Sequence, residues 1–189
     1  MSELQRIETI MTEFLMLAKP KISSYEFVSL PSVLNETVEL MQPQATLCDI
    51  KLSVKLADKG SVVYGDKNRL KQVFINMLKN AIEATTGGGE VTLSYNEGNG
   101  IQHIAIQDTG CGISQDRLER LNQPFYTTKE NGTGLGLVVT YKIIEEHDGK
   151  IEVESELGEG TVFNLYFPAR EAEDVDSTNN GNADWNFTN

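Results

Sequence analysis

Three groups of residues in this chain combine types and spacing that suit chemistry as well as packing. Asp108 stands at the end of the alternating run Ile101 to Gln107 and is followed by Gly110 and Gly112. A second glycine set, Gly132, Gly134 and Gly136, leads into Leu137 to Glu146. There Leu137, Val138, Tyr141 and Ile144 follow helical spacing, so a helix opens at the glycines. A strand that delivers a carboxylate, then a flexible segment, then a glycine-rich turn into a helix suits a nucleotide. Glycines admit phosphates close to the backbone, and the unpaired N–H groups and dipole of a helix start favour negative charge. Either glycine set alone marks only a turn. The third group raises the specificity. Asn76 and Asn80 are four apart on one helical face, and stacked amides there need polar partners. A hydrated Mg²⁺ with its phosphates would supply them.

These groups need elements to carry them. Asp66 caps a helix whose buried stripe is Leu70, Val73, Phe74, Met77, Leu78, Ala81 and Ile82. Ser23 to Ser29 reads as a short strand. Ser29 caps a helix from Leu30 or Pro31 to Gln42, ending before Pro43, with Val33, Leu34, Val38, Leu40 and Met41 inward. Ile50–Leu56 and Val62–Tyr64 are strand candidates. Val91, Leu93 and Tyr95 alternate, and a Gly98-Asn99-Gly100 turn joins that strand to Ile101–Gln107. Gly149 ends the last helix, and Ile151–Ser155 pairs with Thr161–Phe167 across a turn. The order is βα, ββαββ, a lid, then αββ. The fold class is α+β, a two-layer α/β sandwich with an open mixed sheet and helices on one face. The lid is too polar to fold alone, with Phe125 and Tyr126 as its apolar anchors.

Composition narrows the partners. A chain of 189 residues supports one good core plus an appendage. The formal net charge of −12 argues against nucleic acid or an anionic membrane, which call for a basic face. Cys48 and Cys111 lack metal-ligand spacing, which points to a reducing compartment, and no apolar run reaches spanning length. The expected location is cytoplasmic. Residues 1–20 predict one helix, Ser2 to Ala18, stopped by Pro20, with Leu4, Ile7, Met11, Phe14 and Ala18 in its stripe. Residues 21–169 form the main domain, and residues 170–189 an acidic, asparagine-rich, disordered tail.

Four stretches carry a family resemblance. Asn76-Met-Leu-Lys-Asn80-Ala resembles the N box of the ATP-binding catalytic domain of sensor histidine kinases. Asp108-Thr-Gly110-Cys-Gly112 resembles their G1 box, Pro124-Phe125 with Thr127-Thr128-Lys129 their F box, and Gly132-Thr-Gly134-Leu-Gly136-Leu their G2 box. Four boxes in the family's order are far more specific than any one, and the resemblance covers roughly Ser24 to Pro168. The resemblance implies the Bergerat ATP-binding fold. The Phe14–Pro20 ending is similar to that of sporulation-type sensor kinases, so the first helix resembles the second helix of a dimerisation hairpin.

The resemblance also assigns roles. Asn80 matches the Mg²⁺-holding position and Asn76 the one that supports phosphate and metal. Asp108 matches the adenine-reading carboxylate, which accepts from the exocyclic amine. Thr161 resembles the threonine that holds this aspartate and a bridging water, or is an ordinary strand threonine. Gly110, Gly112 and Ile113 open the lid; Gly132, Thr133, Gly134, Leu135, Gly136 and Leu137 close it on the triphosphate. Phe125, Thr128 and Lys129 belong to the lid, with Lys129 the candidate for a γ-phosphate contact. Lys79 either touches phosphate or is a solvated helix lysine.

Two absences shape the expected reaction. Relatives on this fold that hydrolyse ATP or phosphorylate serine carry a glutamate one turn before the magnesium asparagine. Here that position is Asn76, and an amide is no base near neutral pH. A histidine acceptor needs none from this domain. Neither His103 nor His147 stands in a phosphoacceptor motif. The expectation is the catalytic half of a histidine kinase, with ATP and Mg²⁺ as cofactors. Its partners would be a histidine-bearing dimerisation helix, a downstream response regulator and, through the first helix, a second copy. The alternative is a nucleotide-binding regulatory module that docks a helical partner through Leu4–Phe14.

Overall fold

The computed structural model describes residues 24–57, 61–127, 129 and 132–170, together with Met11. The expected helix at 2–18 (apart from Met11), Thr128 and the tail at 171–189 lie outside the described residues. The described elements run β1 (Glu26–Ser29), α1 (Leu30–Leu47), β2 (Lys51–Leu56), β3 (Val62–Gly65), α2 (Lys67–Ala84), β4 (Glu90–Gly98) and β5 (Ile101–Asp108). They continue with α3 (Gln115–Leu118), α4 (Gly136–Glu146), β6 (Lys150–Glu156) and β7 (Gly160–Pro168).

Alternation puts Val91, Leu93 and Tyr95 of β4, Ile104 and Ile106 of β5, and Phe163, Leu165 and Phe167 of β7 on one sheet face. The helices bury their stripes against that face in one core. The main sheet has five strands in the order β2-β4-β5-β7-β6, with β2 parallel to β4 and every other pair antiparallel. The first and third strands do not join it. They form a separate antiparallel pair, so the expected single sheet is two. Asn99 and Gly100 both take positive φ (54° and 74°), which closes the β4–β5 hairpin in the twist sense that two-residue loops favour.

The second helix follows its sequence pattern. Its buried residues are the seven expected, and Asp66 Oδ1 accepts from the Asn68 and Arg69 amides at 2.9 and 3.1 Å. The other two long helices depart from expectation. Helix α1 continues through Pro43 to Leu47. Proline removes one N–H from the ladder and crowds the carbonyl four residues back, but Met41 and Ala45, both buried, hold the turns on either side against the core. Ser29 stands at the N-cap without a side-chain bond, and Leu40 is 57% exposed, not inward. In α4 Ile144 is buried as expected, but the rest of the buried face is Val139, Thr140 and Ile143, two positions on from the expected Leu137, Val138 and Tyr141. Leu137-Val138-Val139 are consecutive apolar residues, so periodicity alone leaves the helix phase open. The pairing also runs past Pro168: Ala169 donates to Gly100, and Arg170 exchanges main-chain bonds with Val62.

Candidate nucleotide-binding site

The site lies where the C-terminal end of β5, the middle of α2 and the start of α4 meet. Register places Asp108 between Val91 of β4 and Thr161 of β7, and its carboxylate is 4% exposed. Burial pushes its pKa up, while main-chain bonds from Gly110 (2.9 Å to Oδ1) and Thr161 pull the other way. A carboxylate has about four acceptor sites, so the two amides leave capacity for a ligand donor. Gly112 takes φ +67° with its Cα against the Glu156 carbonyl, a combination that admits no side chain.

One residue missed in the sequence ties this corner together. Ser155 Oγ accepts from the Ile113 amide at 2.8 Å, donates to the Gly160 carbonyl at 2.8 Å and lies 2.9 Å from Thr161 Oγ1. With its own proton on Gly160, Ser155 receives the Thr161 hydroxyl proton, which leaves Thr161 an acceptor. The Thr161 side chain therefore bonds Ser155, and only its main chain reaches Asp108. Ser155 is the polar member of the inward set Ile151, Val153, Ser155, and its place there is the one trace it leaves in the sequence.

At the other end, α2 and α4 meet through Asn76, whose Nδ2 donates to the Gly136 carbonyl at 3.4 Å. Among the described residues, α4 has neither a capping side-chain bond nor an acidic residue in its first turn, so its first N–H groups have no helical partner. A Cβ at Gly136 would meet nothing within 4 Å among the described residues. Packing alone does not demand glycine there, whereas a phosphate approaching the helix start does. Gly134 is different: at φ +70° it lies against the backbone of Phe125, whose N–H donates to its carbonyl at 3.1 Å.

The segment between the glycine sets, expected as a polar lid, holds the short helix α3. Asp116 in its first turn was the available signal. Tyr126 lies beneath the Arg120 guanidinium at 4.3 Å. Phe125 is 63% exposed with φ +65°, so its main chain and not its ring anchors the segment, against expectation. Thr133 Oγ1 accepts from the Leu135 amide at 3.3 Å, with Leu135 buried and Leu137 half-buried. Lys129 Nζ donates to Asn80 Oδ1 at 2.8 Å and to Glu83 Oε2 at 2.5 Å, while Lys79 lies 3.9 Å from Glu83 Oε1. The structure thus gathers Asn80, Lys129 and Lys79 around Glu83.

Both histidines have structural partners. His103 Nε2 meets Asn164 Oδ1 at 2.9 Å on the sheet face away from the helices and stacks on Tyr166. His147 is buried, with Nδ1 donating to the Ile143 carbonyl and Nε2 accepting from the Asp66 amide. Among the described residues no cluster of three or more His, Cys, Asp or Glu offers a metal cage, and no helix is long and apolar enough to cross a membrane.

Comparison with known proteins agrees with this geometry. The profile of the Histidine kinase-, DNA gyrase B-, and HSP90-like ATPase family matches residues 65–171. Sporulation kinase E of Bacillus subtilis (strain 168) is 49% identical over 172 residues, 90% of this chain and 23% of that protein. The chain thus spans about a quarter of that relative's length. The catalytic domain of histidine kinase ThkA superposes with a TM-score of 0.70 at 31% identity, covering 77% of this chain and 96% of that one. ThkA in complex with the response regulator protein TrrA gives 0.75 at 30% identity, covering 89% and 48%. Full-length ShkA in complex with AMPPNP gives 0.76 at 26% identity, covering 87% and 36%. With the four boxes brought to one corner of a five-stranded mixed sheet, the chain belongs to the histidine kinase-, DNA gyrase B- and HSP90-like ATPase family, as a histidine kinase catalytic domain.

Proposed function

We propose that this domain binds Mg-ATP at the seam of α2 and α4 and passes the γ-phosphoryl to a histidine on a dimerisation helix outside the described residues. The observation that carries the reading is the meeting of Lys129 with Asn80 on α2, the helix that also touches the uncapped start of α4 through Asn76, with Asp108 buried at the end of β5. The AMPPNP bound to ShkA and the TrrA bound to ThkA support a nucleotide ligand and a response-regulator partner.

Each residue then has a task. Asp108 accepts from the adenine exocyclic amine, held in place by Gly110 and Thr161. Ser155 and the lid opening at Ile113 fix that corner. The first amides of α4, bared by Gly136, take phosphate oxygens, and Asn76 braces that helix through the Gly136 carbonyl. Asn80 would hold Mg²⁺, which neutralises charge on the phosphates. Lys129, freed from α2, adds a positive charge to the γ-phosphate. Among the described residues none replaces a general base at this site: Asn76 is an amide, and Glu83 faces Lys79 and Lys129. Catalysis therefore rests on positioning and charge neutralisation, with the acceptor imidazole supplying its own nucleophile. The two free cysteines fit a reducing, cytoplasmic setting.

The test is transfer from [γ-³²P]ATP to an added histidine-bearing dimerisation helix pair. Acid-labile label on the added helices, and none on this chain, is expected. Steady phosphate release without label on any histidine would instead identify an ATPase.

A further inference from the structure

We propose that Glu83 is a positioning residue: it holds Lys129 against Asn80 when no nucleotide is present, so that nucleotide binding exchanges one anion for another. This rests on the ATP-binding reading above. Glu83 lies three residues after Asn80 and four after Lys79, which puts all three on one stretch of the α2 surface. Its Oε2 takes the Lys129 ammonium at 2.5 Å, and that ammonium also donates to Asn80 Oδ1 at 2.8 Å. Its Oε1 faces Lys79 at 3.9 Å. Both lysines that the motifs nominate for phosphate thus converge on one carboxylate beside the magnesium asparagine.

The arrangement has a direct consequence. Lys129 can neutralise a γ-phosphate only after leaving Glu83, and Asn80 Oδ1 can face a metal only after Lys129 has left it. A triphosphate offers Lys129 more negative charge than one carboxylate, so the exchange runs forward, less the cost of opening the Glu83 pair. That cost is modest and falls with salt, because Glu83 and Lys129 are 34% and 40% exposed. Glu83 therefore lowers nucleotide affinity while keeping Lys129 at the site.

A double-mutant cycle on the full chain tests this, with AMPPNP and Mg²⁺ as the probe in calorimetry. Glu83→Gln should tighten binding roughly two- to fivefold at low salt, the range of a half-exposed ion pair, with the gain shrinking as salt rises. In the Lys129→Gln background the same substitution should change affinity little. Equal tightening in both backgrounds would overturn the proposal, since Glu83 would then act on the nucleotide itself. Unchanged or weakened binding in Glu83→Gln would overturn it too. Amide exchange in the nucleotide-free chain reads the clamp independently: Glu83→Gln should speed exchange at Gly132, whose N–H donates to the Lys129 carbonyl. If the unsubstituted chain binds no AMPPNP, the ATP-binding reading fails, while the exchange measurement still decides whether Glu83 restrains Lys129.

Discussion

Asp108 is a carboxylate taken almost wholly out of water and held by main-chain amides, an arrangement whose unused acceptor capacity only a ligand donor exploits. Asp108→Asn keeps the shape and loses the charge. Hydrogen bonds to charged groups contribute about 1.5–3 kcal/mol, so the substitution should weaken ATP-analogue binding roughly ten- to hundredfold by calorimetry. Unchanged affinity would remove Asp108 from the binding role. Ser155 makes a separate claim about stability. Ser155→Ala leaves the half-buried Ile113 amide and the Thr161 hydroxyl short of a partner, and urea titration should show a loss of about 1–3 kcal/mol. The chemistry of Asp108 and the asparagines was legible because their types and spacing are unusual. That of Ser155 and Glu83 was not, because a strand serine and a helix glutamate are ordinary residues until the partners they meet are known.

At the scale of elements, the N-terminus of α2 is held twice: Asp66 caps it through its side chain, and its main-chain N–H donates to His147 at the end of α4. Asp66→Ala should cost about 0.5–2 kcal/mol in urea unfolding, the usual range for a lost cap. The His147 ring adds a pH dependence. It is buried, stacked on Tyr25, and faced by Arg69, Glu146 and Asp66, with burial the dominant cause that holds its pKa below 6.5. A depressed histidine favours the neutral ring in the folded chain. Its contribution is present above pH 6.5 and is lost as pH falls below 6.5 through the folded value. Denaturant midpoints at pH 7.5 and 5.5 should show that loss, and the His147 ring resonances should titrate below pH 6.5. A ring that protonates at or above 6.5 would contradict the buried, accepting Nε2.

The same elements show how far sequence reading reaches. The stripe of α2 is strictly amphipathic, so its face was readable to the residue. That of α4 holds at Ile144 but differs by two positions elsewhere, because three adjacent apolar residues fit more than one phase and only packing against α2 and β6 chooses. Pro43 misled for a related reason. A proline signals a break, yet two buried neighbours outweigh one missing hydrogen bond.

At the scale of the molecule, strands and order were legible, but the division into two sheets was not. Pairing between the first and third strands is long-range, and nothing local in either segment specifies its partner. The four boxes, by contrast, could be read together before their contacts were known, because each sits at the end of an element and the sheet brings those ends to one corner. The proposed function makes that corner a magnesium-dependent ATP site. The most direct test is calorimetric titration of the intact chain and of Asn80→Ala with AMPPNP, each with and without Mg²⁺. Binding that strengthens with Mg²⁺ in the intact chain, and loses that strengthening in Asn80→Ala, is the predicted result. Binding of equal strength in all four titrations would contradict a metal site at Asn80, and no binding by the intact chain would contradict the ATP site itself.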